Sequence, residues 1–225
     1  MNDTPRKPHD LQLVERYGAE NVIKALRPIV LGERLALLDR VVGARRCDLT
    51  VLADRFYDPH NNAAILRSAE AFGLREMHAV PGEKGAQLAQ SVTQGVDKWI
   101  DFTVHASSES AYDAIVAQGY TLIGADMAGG PPEELPKDMR VCLVMGAEKP
   151  GLSDLARTRC KGFVSVAMVG MVESFNVSVA AALLVSALCK RREPELLGAT
   201  QRAELLARYL VQTVQRPAVI LAELL

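Results

Sequence analysis

The chain has 225 residues, of which 49% are hydrophobic, and a formal net charge of −1 at pH 7. No stretch reaches the ~18 uninterrupted apolar residues of a membrane span, and the first ten residues lack the apolar core of a secretory signal. The four cysteines show no CxxC spacing, so neither a metal site nor a disulfide framework is predicted. We therefore expect a protein of the reducing cytoplasm, with no membrane partner.

The charge is unevenly distributed along the chain. Residues 1–46 carry nine Lys and Arg against six Asp and Glu, whereas residues 47–189 carry 11 against 17 and residues 190–225 carry six against four. An acidic middle between basic ends fits a catalytic core with polyanion-binding extensions. Ordinary solvated helix faces would give the same pattern, so charge alone does not decide between these readings.

Hydrophobic periodicity predicts helices at both ends of the chain and alternating strands and helices between them. In chain order, we predict helices at 9–26 and 31–43, a strand at 49–53, a helix at 61–72, strands at 77–80 and 98–104, a helix at 108–118, strands at 120–125 and 141–145, a short helix at 153–157, a strand at 163–168, and helices at 176–190 and 200–214. Residues 83–95 are polar and give no clear prediction. This order indicates an α/β domain with a mostly parallel sheet and helices on both faces. Ligands bind beyond the carboxyl ends of the strands in such sheets.

Several common nucleotide and hydrolase motifs are absent. No GxGxxG follows the first strand, and neither GxxxxGK[ST] nor GxSxG occurs. A nucleotide-binding oxidoreductase therefore lacks its usual phosphate loop. Glycines instead follow the last two strands, at Gly146, Gly151 and Gly170, where loops can enclose a neutral or zwitterionic small molecule through backbone groups.

The segment 163–189 places a polar cluster between an apolar run and a helix rich in small residues. The cluster contains Glu173, Ser174 and Asn176, and such polar side chains are costly to bury unless something satisfies them. Either Ser174 or Asn176 simply caps the following helix, or the cluster belongs to a ligand site.

Three segments in this order resemble the motifs of the SpoU-type branch of the SPOUT RNA methyltransferases, which includes the TrmH-type enzymes. They read DPHNNAAILRSAEAFGL at 58–74, LVMGAEKPGLS at 143–153 and VAMVGMVESFNVSVAAA at 166–182. The resemblance covers about residues 47–190. It divides the chain into an N-terminal RNA-binding extension (1–46), a methyltransferase domain (47–190) and a C-terminal helical extension (191–225).

The resemblance implies the SPOUT fold, in which a trefoil knot forms at the C-terminal part of the sheet, an exception to the rule that chains do not thread themselves. It also implies a homodimer whose sites borrow residues from the partner subunit. S-adenosylmethionine would bind in the loops 124–127, 145–151 and 166–176. The cofactor-binding residues would be Ala125, Met145, Gly146, Gly151, Val166, Met168 and Phe175.

The resemblance assigns the catalytic positions to Arg67, Asn61, Glu148, Ser174 and Asn176. The reaction would be methyl transfer to a ribose 2′-hydroxyl. Arginine stays protonated in proteins and is a poor base, so we expect Arg67 to clamp an RNA phosphate and stabilise the developing alkoxide. Without the motif, Arg67 would be an ordinary surface charge and Asn61 a helix cap.

The short extensions resemble the branch that methylates guanosine 18 in the tRNA D-loop. Ribosomal RNA (rRNA) is the alternative substrate, and a non-catalytic RNA-binding protein of the same fold is an alternative of another class. No DNA partner is expected. Basic residues near the two ends would contact RNA phosphates, namely Arg34, Arg40, Arg45, Arg46, Lys190, Arg191 and Arg192.

Overall fold

The computed structural model describes residues 9–56, 58–82 and 95–224. The chain forms two compact units. One unit takes its residues from both ends of the chain, up to Arg45 and from Leu196 onward, and the other comprises Arg46–Glu195. Most of the two extensions that we predicted as separate segments therefore belong to one helical unit, whereas Arg46 and residues 191–195 belong to the other unit.

The described part of the helical unit contains five α-helices. They are α1 (His9–Tyr17), α2 (Ala19–Leu26), α3 (Gly32–Gly43), α8 (Ala199–Thr213) and α9 (Pro217–Leu224). The sequence predicts one helix over 9–26, but the chain breaks at Gly18, whose φ of 79° lies in the left-handed region that glycine tolerates. Helix α8 packs against α1, α2 and α3 and buries Leu205, Tyr209 and Leu210 in the centre of the unit.

The second unit is an α/β domain around one six-stranded sheet. Its strands are β1 (Leu49–Phe56), β2 (Glu76–Pro81), β3 (Asp101–Val104), β4 (Thr121–Gly130), β5 (Val141–Met145) and β6 (Gly162–Val164). The spatial order is β3-β2-β1-β5-β4-β6, and every neighbouring pair is parallel. This confirms the mostly parallel sheet. Strand β5 is buried along its whole length, as a central strand covered on both faces must be.

Four α-helices of this unit lie in the described residues; three follow strands β1, β3 and β5 and lead to the next strand, and the fourth follows the last strand. They are α4 (Pro59–Ala71), α5 (Ser108–Ala117), α6 (Asp154–Arg159) and α7 (Val177–Lys190). Helices α4 and α7 pack against each other and share a core with Val51, Leu143 and Met145 of the sheet. A second apolar cluster contains Leu52, Tyr112, Ile115 and Val144. No helix in the described ranges is both long and apolar enough to cross a membrane.

Strand β6 is shorter than the sequence predicts. We expected a strand over 163–168, but β6 ends at Val164 and the chain then leaves the sheet until α7 begins at Val177. The apolar residues of 165–176 therefore do not form strand. Val166, Met168 and Phe175 instead line the cavity described below, whereas Val169, Met171 and Val172 are exposed. The uncertain segment 83–95 falls outside the described residues except for Gly95.

Candidate active site

A cavity of about 910 Å³ opens at the carboxyl ends of β4, β5 and β6. The loops that follow these strands supply most of its lining. This is the edge at which a parallel sheet binds ligands, and the volume is in the range of sites for drug-sized molecules and cofactors. The whole cavity lies within the α/β unit.

The loop after β5 folds tightly back on itself at one wall of the cavity. Gly151 donates its backbone N–H to the carbonyl of Ala147 across 3.0 Å, and Gly151 has a φ of 84°. A Cβ atom added to Gly146 would overlap the backbone of Gly151 and Leu152. Only glycine at position 146 allows this close approach of two backbone segments.

The first turn of α4 brings a polar side chain into the cavity. Asp58 caps the helix by accepting the backbone N–H of His60 across 2.8 Å, and Pro59 occupies the first helical position, where its missing N–H costs nothing. The third helical residue, Asn61, consequently lies among the cavity-lining residues with only 8% of its surface exposed.

Three polar side chains from distant parts of the chain meet in the cavity. Asn176 donates from Nδ2 to Oε1 of Glu148 and to Oδ1 of Asn61, both across 3.2 Å. Asn61 donates from Nδ2 to the same Oε1 across 3.4 Å. Glu148 therefore accepts from two amides, and these contacts fix the orientation of all three side chains.

Asn176 has a second structural role at the start of α7. Its Oδ1 accepts the backbone N–H of Ser178 across 2.9 Å and the Ser178 hydroxyl across 2.6 Å. Asn176 is thus the cap of α7 and a member of the polar network. Of the two possibilities that the sequence left open, the helix cap is present, and the other end of the same side chain contacts polar residues of the cavity.

The cavity gathers nearly all of the residues that the sequence assigned to cofactor and catalysis. The cavity-lining residues among them are Asn61, Ala125, Met145, Gly146, Glu148, Gly151, Val166, Met168, Ser174, Phe175 and Asn176. Arg67 is the exception, because it lies exposed on α4 outside the cavity lining. It comes six residues after Asn61, which is about 9 Å along the helix axis.

Sequence reasoning missed an ion pair at the cavity rim. Nη2 of Arg157 lies 2.6 Å from Oδ2 of Asp126, and both residues line the cavity. Asp126 follows the predicted Ala125 directly, which is the one signal that the sequence offered. Because 31 residues separate the pair, no local spacing could have revealed it.

Three of the seven predicted RNA-contacting residues lie in the protein interior. Arg45, Arg46 and Arg191 are 1%, 5% and 7% exposed. Arg45 donates to the Tyr209 hydroxyl, and Arg191 donates to the backbone carbonyls of Leu135, Pro136 and Met139. Runs of basic residues suggested a surface, but these guanidinium groups hold the fold together and present no face to RNA.

Arg46 and Arg192 converge on one buried carboxylate. Arg46 pairs with Asp48 through two bonds of 2.8 Å, and Arg192 lies 3.3 Å from Oδ2 of the same Asp48. Arg192 also lies 3.9 Å from Glu195. The predicted residues that reach the surface are Arg34, Arg40 and Lys190, of which Arg34 is half-buried.

Two further groups of polar side chains lie outside the cavity lining, one on β2 and after β3 and the other on β1 and α5. Nδ1 of His78 lies 3.1 Å from Nε2 of His105, and burial, together with this neighbour, lowers the pKa of His78 to about 4. Asp54 accepts from Ser108 and Tyr112, each across 2.6 Å. Within the described ranges, no group of three or more His, Cys, Asp and Glu side chains could hold a metal ion.

Comparison with known proteins defines the class to which this fold and site belong. A tRNA (guanosine(18)-2′-O)-methyltransferase of Thermus thermophilus is 33% identical over 150 residues, which is 66% of this chain and 77% of that protein. The A. aeolicus TrmH/SpoU tRNA modifying enzyme superposes with a TM-score of 0.72 at 24% identity, over 82% of this chain and 98% of that one. The SpoU methyltransferase AviRb of Streptomyces viridochromogenes, solved with AdoMet, superposes with a TM-score of 0.59 at 24% identity, over 68% of this chain and 60% of that one.

These likenesses define a SpoU-like α/β fold with its cavity at the carboxyl ends of the last strands. Residues 48–186, well over half of the chain, match the SpoU rRNA Methylase family. The protein belongs to that family, as the three sequence segments predicted.

Proposed function

We propose that this protein transfers a methyl group from S-adenosylmethionine to the 2′-hydroxyl of guanosine 18 in the tRNA D-loop. The observation that carries the proposal is the network of Asn61, Glu148 and Asn176 inside the cavity, in a chain that belongs to the SpoU family. The relative from T. thermophilus bears the name of this activity.

The cavity fits S-adenosylmethionine in shape and in charge. Gly146 permits a close approach of backbone to backbone, and the lining combines apolar side chains such as Val166, Met168 and Phe175 with backbone groups. These residues, with Ala125, Met145 and Gly151, would hold the adenosine. When bound, the cofactor supplies an electrophilic sulfonium methyl group.

Carboxylates outnumber cations around the cavity, which favours a positively charged ligand. The charged lining residues are Asp58, Asp126, Glu148 and Glu173 against Lys149 and Arg157. A sulfonium donor carries one more positive charge than its demethylated product. Coulombic attraction in this partly enclosed site therefore favours the donor over the product.

The residues of the network would position the reacting groups. Glu148 and Asn176 hold the Asn61 amide, which keeps one N–H for the ribose and would meet it already oriented. Asn176 uses both of its N–H groups on Glu148 and Asn61 and its Oδ1 on Ser178, so it would act by positioning these neighbours. Ser174 lines the same cavity and would bind the ribose or the loop backbone. Arg67 would clamp an RNA phosphate and stabilise the alkoxide as it forms.

An exposed apolar surface supports a homodimer. Its residues are Val169, Met171, Val172, Phe175, Val179 and Leu183, all between 38% and 105% exposed. They lie in the loop before α7 and on α7 itself, and large apolar side chains exposed close together in the chain favour an interaction site. We assign it to pairing of two copies through α7.

A dimer also accounts for the position of Arg67. This side chain is exposed and does not line the cavity of its own chain, so we assign it to the cavity of the partner subunit.

The loops 124–127, 145–151 and 166–176 would form the trefoil knot. In support, the chain passes from β5 back beyond β4 to reach β6 at the edge of the sheet.

Arg34 and Arg40 on α3, together with Lys190, would contact phosphates of the RNA. The protein would act on tRNA in the cytoplasm.

The deciding experiment is methyl transfer from labelled S-adenosylmethionine to total tRNA and to rRNA, followed by mapping of the modified nucleotide. We expect label at ribose 18 of tRNA. Label on rRNA alone would show that the substrate is rRNA and not tRNA. No label on either RNA would refute the proposed methyltransferase activity.

Subunit complementation tests the shared site. We expect Arg67→Ala and Asn176→Ala each to keep at most about a tenth of the wild-type activity alone. If Arg67 serves the partner's cavity, co-refolded mixtures regain about a quarter of the wild-type activity, because half of the dimers are mixed and each mixed dimer has one intact site. If Arg67 serves its own chain, the mixture stays at the level of the separate variants.

A further inference from the structure

Strand β4 interrupts its pairing with β6 at the mouth of the cavity. Ala125 and Gly130 both pair with Val164, so residues 126–129 form an excursion out of the ladder. The excursion lies at the carboxyl end of the sheet, and Asp126 and Met127 within it line the cavity. An interruption of this kind re-aims side chains toward a site.

The base of the excursion is held firmly by the start of the segment after β6. Ser165 donates its hydroxyl to the carbonyl of Gly129 across 2.7 Å and its backbone N–H to the carbonyl of Gly130 across 2.9 Å. Gly129 lies so close that a Cβ would stand 2.5 Å from the backbone nitrogen of Val164. The excursion is therefore a fixed wall of the cavity.

Both oxygens of Asp126 are oriented by one contact each. Oδ1 accepts the backbone N–H of Ala128 across 3.0 Å, and Oδ2 accepts Nη2 of Arg157 across 2.6 Å. The Asp126 side chain is 16% exposed. A carboxylate has about four acceptor positions, so each oxygen retains one for a ligand in the cavity.

We propose that Asp126 binds the two ribose hydroxyls of the methyl donor's adenosine. This inference rests on the proposed function. Two adjacent acceptors match two adjacent hydroxyl donors, which is the way acidic side chains read the ribose of nucleotide cofactors in other folds. Asp126 follows Ala125, one of the residues assigned to the adenosine, so its carboxylate stands next to the ribose.

Arg157 is a positioning residue for this contact. Its side chain is 47% exposed and reaches Asp126 from α6, across the rim formed by the loop after β5. Because the carboxylate is already oriented by Arg157 and by the backbone, it loses little side-chain freedom when the ribose binds. Arg159 offers a matched control, since it lies on the same helix and pairs with Asp113 outside the cavity lining.

Calorimetric titration of the full chain with three probes tests the proposal. The probes are S-adenosylhomocysteine, its 3′-deoxy analogue and 5′-methylthioadenosine, which keeps the ribose but lacks the amino-acid end. We expect Asp126→Ala to lower the affinity for S-adenosylhomocysteine and for 5′-methylthioadenosine alike, by about tenfold. The wild type should prefer S-adenosylhomocysteine to its 3′-deoxy analogue, and Asp126→Ala should bind both equally.

Arg157→Ala should weaken S-adenosylhomocysteine binding by no more than about fivefold, as expected for a partly exposed ion pair. This loss should vanish in the Asp126→Ala background, while Arg159→Ala should bind like the wild type. Circular dichroism and thermal melts confirm that each variant is folded.

Three results would overturn the proposal. They are an Asp126→Ala protein that binds as the wild type does, one that still prefers the 3′-hydroxyl, and one weakened only toward ligands that carry the amino-acid end. A wild-type protein that binds no S-adenosylhomocysteine would instead refute the proposed function, so the two failures are distinguishable.

Discussion

Asn176 donates to Glu148 across 3.2 Å although 28 residues separate them in the chain. The same Asn176 caps helix α7 through its Oδ1. The polar network of the cavity and the cap of α7 therefore use opposite ends of one amide. A substitution at Asn176 can therefore remove the Nδ2 donor and keep an oxygen acceptor.

Asn176→Ser keeps an oxygen that can cap α7 but removes the Nδ2 donor. We expect its stability to stay near that of the wild type while kcat falls by about tenfold to a hundredfold, the cost of a hydrogen bond to a charged group. Asn176→Ala should lose the same activity and about 1 kcal/mol of stability as well. Urea unfolding and single-turnover methyl transfer measure the two effects, and equal stability of the two variants would contradict the capping role.

Arg67→Lys tests the bidentate clamp that we assign to Arg67. Lysine keeps the positive charge but cannot grip a phosphate with two parallel donors. We expect kcat to drop by about a hundredfold with little change in the affinity for S-adenosylhomocysteine. The measurement is steady-state kinetics on tRNA beside a binding titration, and a variant that retained most of kcat would rule out the clamp.

Gly146→Ala should abolish cofactor binding, because the added Cβ would overlap the backbone of Gly151 and Leu152. Gly170→Ala is the matched control in a neighbouring loop, since its Cβ would meet no atom within 4 Å. Titration with S-adenosylhomocysteine distinguishes them. Near-normal binding by Gly146→Ala would mean that the loop after β5 takes another course.

The buried pair of His78 and His105 predicts a loss of stability in acid. Folding lowers the pKa of His78 to about 4, whereas the unfolded chain has the ordinary value near 6.5. The unfolded state therefore binds more protons between these values, and the free energy of unfolding should fall by on the order of 3 kcal/mol as the pH drops from about 6.5 to 4. Denaturant unfolding across this range should show the slope in the wild type and a smaller slope in His78→Asn.

Arg40 and Arg46 should respond to alanine in opposite ways. Arg46 is buried in a two-bonded pair with Asp48, so Arg46→Ala should cost about 3 kcal/mol of stability, the low end for a broken buried pair, because Arg192 still contacts the carboxylate. Arg40 is exposed, so Arg40→Ala should change stability by less than about 0.5 kcal/mol. Arg40→Ala should also weaken tRNA binding and reduce the slope of log affinity against log salt concentration by about one. Unfolding curves and salt-titrated binding assays check both.

Local hydrophobic patterns predicted which helices and strands form better than they predicted where each one begins and ends. Alternating apolar runs predicted the parallel sheet and most helices, because strand and helix periodicity are written in neighbouring residues. The predicted strand over 163–168 ended early because residues after Val164 line a cavity, and an apolar residue can be buried against a sheet or around a ligand site alike. The predicted helix over 9–26 broke at Gly18, where the backbone conformation, not hydrophobicity, decides.

The basic runs misled for a related reason. Arg45, Arg46 and Arg191 look like surface charges in the sequence, and each is buried because its partner comes from elsewhere in the fold, as with Tyr209 for Arg45. Burial of a guanidinium depends on such a partner. A count of charges along the chain cannot detect it.

The amino-acid sequence alone determined the family, the parallel sheet and many of the residues that surround the cavity, because motif residues and hydrophobic periods are local properties of the chain. Tertiary structure alone decided that Glu148 joins Asn61 to Asn176, that Asp126 meets Arg157, and that Arg67 stands outside its own cavity. The physical reason is that hydrogen bonds and ion pairs act only over a few ångströms. Which side chains come that close is set by how the strands are ordered in the sheet and not by their separation along the chain.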